Sequence, residues 1–176
     1  LSQKDLSQKM SKDIDEMEKM LNDYLQFAKT QVQETTIDIN LTDLFNEIEK
    51  NVNSKNLKIS KIENIFLKGR PMALRRSFEN IIQNGLTYGE KVYVEIQKGS
   101  NRAVIIFGDD GPGIPEDQYK NVFKPFFRLD KSRSLNQSGV GLGLAIVEDV
   151  INSHGGSVQL GTSKYKGLQV KVFLPF

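Results

Sequence analysis

Phe107-Gly108-Asp109-Asp110-Gly111-Pro112-Gly113-Ile114-Pro115 closes an alternating run, Arg102-Ala103-Val104-Ile105-Ile106-Phe107, whose period of two reads as a strand. A strand that ends in acid- and glycine-rich sequence delivers a fixed carboxylate, Asp109, to the rim of a sheet. The glycines beyond it let backbone come close to a flat ligand. An acidic turn after an edge strand would contain the same residue types, so the Asp109-x-Gly111-x-Gly113 pattern is decided by what surrounds it. Downstream stands a second glycine cluster, Gly139-Val140-Gly141-Leu142-Gly143-Leu144, and upstream a helix bearing Asn80 and Asn84.

The frame is that of one folded core with an appendage: 176 residues, 38% apolar and 26% charged. A net charge of +2, with lysines spread through the chain, gives no basic patch for nucleic acid or an anionic membrane. Without cysteine there is no disulfide and no thiolate metal site, which fits a reducing cytoplasm. No apolar run approaches the ~20 residues of a membrane span, and no signal-peptide pattern opens the chain. The first residue is Leu1 rather than methionine, so a fragment of a longer protein is expected.

Residues 1–34 read as a separate unit, in which residues 1–31 form one long helix free of glycine and proline. Leu6, Met10, Ile14, Met17, Leu21, Tyr24 and Ala28 recur every three or four residues, a heptad stripe widened by Met20, Leu25 and Phe27. Such a stripe needs a cover, either in a helical bundle with a second subunit or on the chain's own globular part. From residue 35 the pattern changes. Thr36 to Asn40 alternates as a strand and Leu41 opens a helix through Ile48 and Val52. Leu57–Ser60 and Ile65–Leu67 are short strands.

Pro71 begins a helix running to Tyr88 and stopped at Gly89, with Leu74, Phe78, Ile81, Ile82 and Gly85 on its buried side. Lys91–Gln97 and Arg102–Asp109 form a hairpin, Gly141 to Ser153 a helix, and Ser157–Gly161 with Leu168–Leu174 a last hairpin. The order predicts an α/β two-layer sandwich over residues 35–176, one mixed sheet against three helices.

Asn80 and Asn84 are four apart and share a helix face. Neutral amides that offer both oxygen acceptors and NH2 donors suit a site for Mg2+ and phosphate together. Tyr88, one turn on, edges the same face. Here Glu79-Asn80-Ile81-Ile82-Gln83-Asn84-Gly85-Leu86-Thr87-Tyr88-Gly89 resembles the N box of sensor histidine kinases of two-component systems. Gly108 to Pro115 resembles their G1 box, Phe123-Lys124-Pro125-Phe126-Phe127-Arg128 their F box, and Gly139 to Leu144 their G2 box. Four motifs in the family's order make the resemblance specific, and it extends to the EnvZ-type osmosensor kinases. Asp13 to Ala28 resembles the second helix of their dimerisation and phosphotransfer hairpin.

The resemblance implies the Bergerat, or GHKL, ATP-binding fold, with ATP and Mg2+ as ligands. Asp109 would accept from the adenine amino group, with Gly111, Gly113 and Ile114 shaping the turn beside the purine. Asn84 would ligate Mg2+ and Asn80 would support the metal or the phosphates, with Tyr88 at the pocket edge. Phe126, Phe127 and Arg128 of the F box would contact the nucleotide, and Leu129 to Ser138, with Lys131 and Arg133, would form a polar lid over the triphosphate. Gly139, Val140, Gly141, Leu142, Gly143 and Leu144 would end it and turn N–H groups toward the phosphates.

The phosphoacceptor histidine of the family lies on the first hairpin helix, upstream of Leu1. His154, the sole histidine, sits at a helix C-terminus, where it reads as a dipole cap. The chain is therefore expected not to autophosphorylate. The implied partners are a second subunit through the N-terminal helix and a response-regulator receiver domain. The implied setting is the cytoplasmic side of a bacterial inner-membrane sensor, anchored by other parts of the full protein.

Two positions depart from the family. Thr87 stands where a basic residue is frequent, which predicts a phosphate end short of positive charge unless Arg128, Lys131 or Arg133 supplies it, and Gly85 stands where alanine is frequent. A GHKL ATPase of the gyrase or chaperone type and a non-catalytic binding module remain as alternatives. The former usually carries a carboxylate four residues before the metal-binding asparagine. Here that position is Asn80, and Glu79 points about 100° away around the helix.

Overall fold

The computed structural model describes residues 34–60, 65–129 and 141–176, together with Ser7, Met10, Ser11, Ile14, Asp15, Met17, Glu18, Leu21 and Leu25. Those nine N-terminal positions are helical and exposed, and the apolar ones among them remain 45–66% accessible. The stripe residues Leu6, Met20, Tyr24, Phe27 and Ala28 lie outside the described residues.

From Glu34 onward the elements are β1 (Ile37–Asn40), α1 (Leu41–Val52), β2 (Leu57–Ser60), β3 (Phe66–Gly69), α2 (Pro71–Tyr88), β4 (Val92–Lys98), β5 (Arg102–Asp109), α3 (Gly143–Ser153), β6 (Ser157–Thr162) and β7 (Leu168–Pro175). A 3-10 turn at Glu116–Gln118 interrupts the β5–α3 connection. Strands β2-β4-β5-β7-β6 form one sheet, with β2 parallel to β4 and every other pair antiparallel. The three helices cover one face, as the sequence predicts.

The expectation of a single sheet needs correction. β1 and β3 pair only with each other, antiparallel, as a two-stranded ribbon. Asn40 ends the ribbon by capping α1, its Oδ1 accepting Thr42 N–H at 2.9 Å, while Leu41 N–H donates to Ile65 O at 2.9 Å. The chain therefore turns into a helix before β1 can reach the main sheet. The ribbon buries Ile39 and Leu67 and leaves Ile37 and Phe66 half exposed.

Periods of two and 3.6 meet at the core. Ala103, Ile105 and Phe107 point inward from β5, Val170, Val172 and Leu174 from β7, and Val92, Val94 and Ile96 from β4. Against them lie Phe45 and Ile48 of α1, Leu74, Phe78 and Ile82 of α2, and Val147 and Ile151 of α3. Phe78 stacks on Phe45 with centroids 5.1 Å apart and meets Phe107 at 5.7 Å. One aromatic seam thus joins two helices to the strand that ends in Asp109. Burying a side chain of that size contributes about 1.5–3 kcal/mol.

The helix that carries the asparagines is held at both ends. Its first turn, opened by Pro71, is closed by a residue from before β1: the Glu34 carboxylate accepts Met72 N–H at 2.6 Å and Ala73 N–H at 3.0 Å. At the other end Gly89 is extended, φ −118°, not left-handed as a glycine stop would be. Asp110 Oδ1 accepts both Glu90 and Lys91 N–H at 2.8 Å, tying the exit of α2 to the loop after β5. The Lys91 N–H is the main reason that the Asp110 carboxyl is held below the ordinary range.

Helix α3 starts at Gly143, two residues later than the sequence suggests, because Gly141 has φ +81° and cannot continue a right-handed helix. Its other end departs from expectation too. His154 is no cationic dipole cap: Arg70 N–H donates to Nε2 at 3.0 Å and Nδ1 lies 2.7 Å from Val150 O. That pair of contacts fixes a neutral imidazole with its proton on Nδ1. Burial accordingly pushes its pKa down.

Candidate nucleotide-binding site

Between α2, α3, the end of β5 and the loops after it lies a cavity of about 480 Å³. α2 presents Arg76, Asn80, Asn84 and Tyr88, residues successively four apart, along one wall. The opposite side is apolar: Ile114, Val122, Phe127, Leu142, Ile146, Leu168 and Val170. A flat apolar body with a polar tail fits that division.

Asp109 stands at one end. It is only 8% exposed, and its Oδ1 accepts Gly111 N–H at 2.9 Å and Leu168 N–H at 3.0 Å. Two backbone donors on one oxygen fix the carboxylate and leave Oδ2 on the side of Gly85, where a β-carbon would lie 3.7 Å from it. Burial raises the Asp109 pKa more than the N–H groups of Gly111 and Leu168 lower it. The hairpin that brings Leu168 works only with glycine before it. A β-carbon on Gly167 would stand 2.0 Å from Asp109 Oδ1.

Of the residues singled out from the sequence, Asn80, Asn84, Tyr88, Asp109, Gly113, Ile114, Phe127, Arg128, Gly141, Leu142, Gly143 and Leu144 all line this cavity. Gly143 brings α3 onto α2, its β-position 3.5 Å from Asn84 Nδ2. Gly111 acts on the site through Asp109 rather than from the wall. Phe126 stands outside the lining, 57% exposed, in a left-handed conformation with φ 64°. Its N–H donates to Gly141 O at 2.9 Å, so it holds the glycine turn from behind. Lys131, Arg133, Gly139 and Val140 lie outside the described residues.

Sequence reasoning missed Arg76, Leu168 and Val170. Arg76 was discoverable, since it continues the four-residue spacing of Asn80 and Asn84 one turn back. Leu168 and Val170 had no local signal, because β7 reaches the site by pairing with β5. Thr87 is not in the cavity wall, its hydroxyl donating to Gln83 O at 2.7 Å, and among the described residues the wall's cations are Arg76 and Arg128.

Fold and site together have the form of an ATP-binding domain, with two asparagines along one wall, a buried aspartate at one end and an apolar side opposite. Residues 69–176 match the family described as histidine kinase-, DNA gyrase B-, and HSP90-like ATPase, and the chain belongs to that family. It is homologous to sensor histidine kinases. The sensor histidine kinase GtrS of Pseudomonas aeruginosa is 33% identical over 176 residues, covering 97% of this chain and 36% of that protein. CpxA of Escherichia coli is 31% identical over 169 residues, covering 90% and 37%. The chain thus spans little more than a third of the length of these relatives. The histidine kinase domain of the E. coli osmosensor EnvZ superposes with a TM-score of 0.60 at 33% identity, over 82% of this chain and 91% of that one.

Proposed function

We propose that this chain is the catalytic ATP-binding core of a sensor histidine kinase. It holds MgATP and passes the γ-phosphoryl group to a histidine on a hairpin helix outside residues 1–176, for relay to the receiver domain of a response regulator. Residues 1–34 are the second helix of that hairpin and residues 35–176 the catalytic domain. The exposed stripe of Met10, Ile14, Met17 and Leu21 pairs with a second subunit. Among the described residues no helix is long and apolar enough to cross a membrane. In this reading other parts of the protein anchor the domain on the cytoplasmic side of a bacterial inner membrane.

The observation that favours transfer over hydrolysis is where the carboxylates lie. Among the described lining residues Asp109 is the single acidic side chain, and it sits at the base end. Glu79 turns away from the cavity and accepts from Asn51 Nδ2 of α1 at 3.3 Å. No carboxylate is therefore on hand, among the described residues, to activate water at the phosphates. Phosphoryl transfer to an imidazole needs alignment and charge neutralisation more than a protein base on this domain.

In this reading Asp109 Oδ2 accepts from the adenine amino group, and guanine, with a carbonyl there, is refused. Tyr88 and Ile114 flank the base, and the N–H groups at the start of α3 meet phosphate oxygens. The amide oxygen of Asn84, with Asn80 beside it, would hold Mg2+. Among the described residues no cluster of three acidic, histidine or cysteine side chains could hold a metal ion, which suits a cation that takes most of its ligands from water and phosphate. When bound, it would neutralise the phosphate charge. Both ring nitrogens of His154 are engaged in the fold, which supports an acceptor elsewhere.

The test is transfer in trans. Mixed with labelled ATP, the chain alone gains no acid-labile phosphate, and a separate hairpin bearing a histidine becomes labelled in its presence. Fast ATP hydrolysis with no labelled hairpin would overturn the reading.

A further inference from the structure

Two neighbouring arginines of α2 have different fates. Arg75 pairs with Glu47 of α1 and is neutralised there. Arg76, about 100° further round the helix, lines the cavity, and no carboxylate among the described residues pairs with it. The cavity's own carboxylate, Asp109, is at the opposite end beside Gly85. The slot is therefore electrically polar along its length, anionic at one end and cationic at the other.

Arg76, Asn80 and Asn84 succeed one another along α2, each step about 6 Å along the axis. A nucleotide whose base meets Asp109 runs its phosphates past Asn84, then Asn80, and reaches Arg76 last. We propose that Arg76 binds the terminal phosphate of ATP and is the residue by which this site distinguishes ATP from ADP. The proposal rests on the nucleotide reading above and deepens it. A guanidinium suits the task, since its planar fork donates two parallel hydrogen bonds to a phosphate and stays charged at any working pH. Thr87, at the position where a basic residue is frequent, is engaged with the backbone of its own helix and leaves that task open.

Calorimetry on the full chain with Mg2+ tests it, using ATP, ADP and adenosine against wild type, Arg76→Ala, Arg76→Gln and Arg76→Lys. Loss of one charge-assisted contact, discounted for solvent at the cavity mouth, weakens ATP roughly tenfold in the alanine and glutamine variants. ADP changes less than about twofold, adenosine is unchanged, and Arg76→Lys recovers part of the ATP affinity while losing the bidentate geometry. Equal weakening of ATP and ADP would assign Arg76 to the inner phosphates and overturn the proposal, as would an unchanged ATP affinity. A wild-type chain that binds none of the three overturns the nucleotide reading and this proposal with it. A wild type that binds ATP with Arg76→Ala indistinguishable from it overturns this proposal alone.

Discussion

Gly85 and Val92 occupy the same space: a β-carbon built on Gly85 would lie 2.5 Å from Val92 Cγ2 and 3.4 Å from Asp109 Cβ. Helix propensity alone favours alanine over glycine by about 1 kcal/mol. Here the valine methyl, buried at the start of β4, takes the room that an alanine would need. The glycine is thus matched to its strand. Gly85→Ala should lower stability by about 1 kcal/mol net, overpacking outweighing propensity. In a Val92→Ala background the same change should be neutral or stabilising, and denaturant titration of the four proteins gives a coupling energy of about 1–2 kcal/mol. Additive effects would show that the two residues do not compete.

Asp109→Asn separates binding from stability. Burial, the larger effect, and the nearby Asp110 charge raise the Asp109 carboxyl, while the Gly111 and Leu168 N–H groups lower it. With a folded pKa above the unfolded one, its contribution is full below the ordinary carboxylate range and is lost as pH rises through the raised value. At neutral pH the ionised carboxylate is therefore a burden on the empty fold. Asparagine can keep its oxygen on the Gly111 and Leu168 donors, but then puts an NH2 where Oδ2 was, facing another NH2 on adenine. ATP affinity should fall at least about tenfold while the melting temperature of the nucleotide-free protein holds or rises. A large fall in melting temperature would mean that the carboxylate is structural.

His154 gives the opposite pH dependence. Its folded pKa is depressed, chiefly by burial and further by the Arg70 charge. Its contribution is present above the ordinary histidine value and is lost as pH falls through that value and the lower folded one. Protonating Nε2 would set an N–H against the Arg70 N–H it now accepts. Melting temperature should drop from about pH 7 to about pH 5 in wild type and less steeply in His154→Gln, whose amide oxygen still accepts. Parallel curves would remove His154 from the account.

Glu34→Ala removes both acceptors at the start of α2. The expected cost is about 1 kcal/mol, or roughly 2–4 °C in melting temperature for a chain of this size. Glu34→Gln keeps an acceptor and should lose less. Equal losses in the two variants would point to charge rather than hydrogen bonding.

Most of the element order was legible because periodicity is local: the alternation of Arg102–Phe107 and the three-four spacing of Leu74, Phe78, Ile81 and Ile82 each need no partner to be read. What a strand pairs with is not local. Phe66-Leu67 alternates alike whether it joins a five-stranded sheet or a ribbon with β1, and only the early turn into α1 decides. The site divides in the same way. Asp109, Asn80 and Asn84 are visible in their own motifs, but the donors that fix Asp109 include Leu168, 59 residues away. For His154, a histidine at a helix end looks alike from sequence whether charged or neutral. The Arg70 N–H that decides it is 84 residues off.

The hydrogen bond from Leu168 to Asp109 also dates the site within the life of the chain. Strand β7 follows the other described elements in chain order yet lies inside the sheet, between β5 and β6. On the ribosome, where earlier segments emerge and begin to fold first, α2 and the β4–β5 hairpin can form while Asp109 still lacks that donor and the cavity still lacks Leu168 and Val170. On the proposed reading, the base end of the site is complete only once the β6–β7 hairpin has cleared the exit tunnel. Any truncation that removes β7 takes from Asp109 its Leu168 donor and from the cavity two of its apolar walls, although Asn80 and Asn84 lie far upstream in the chain.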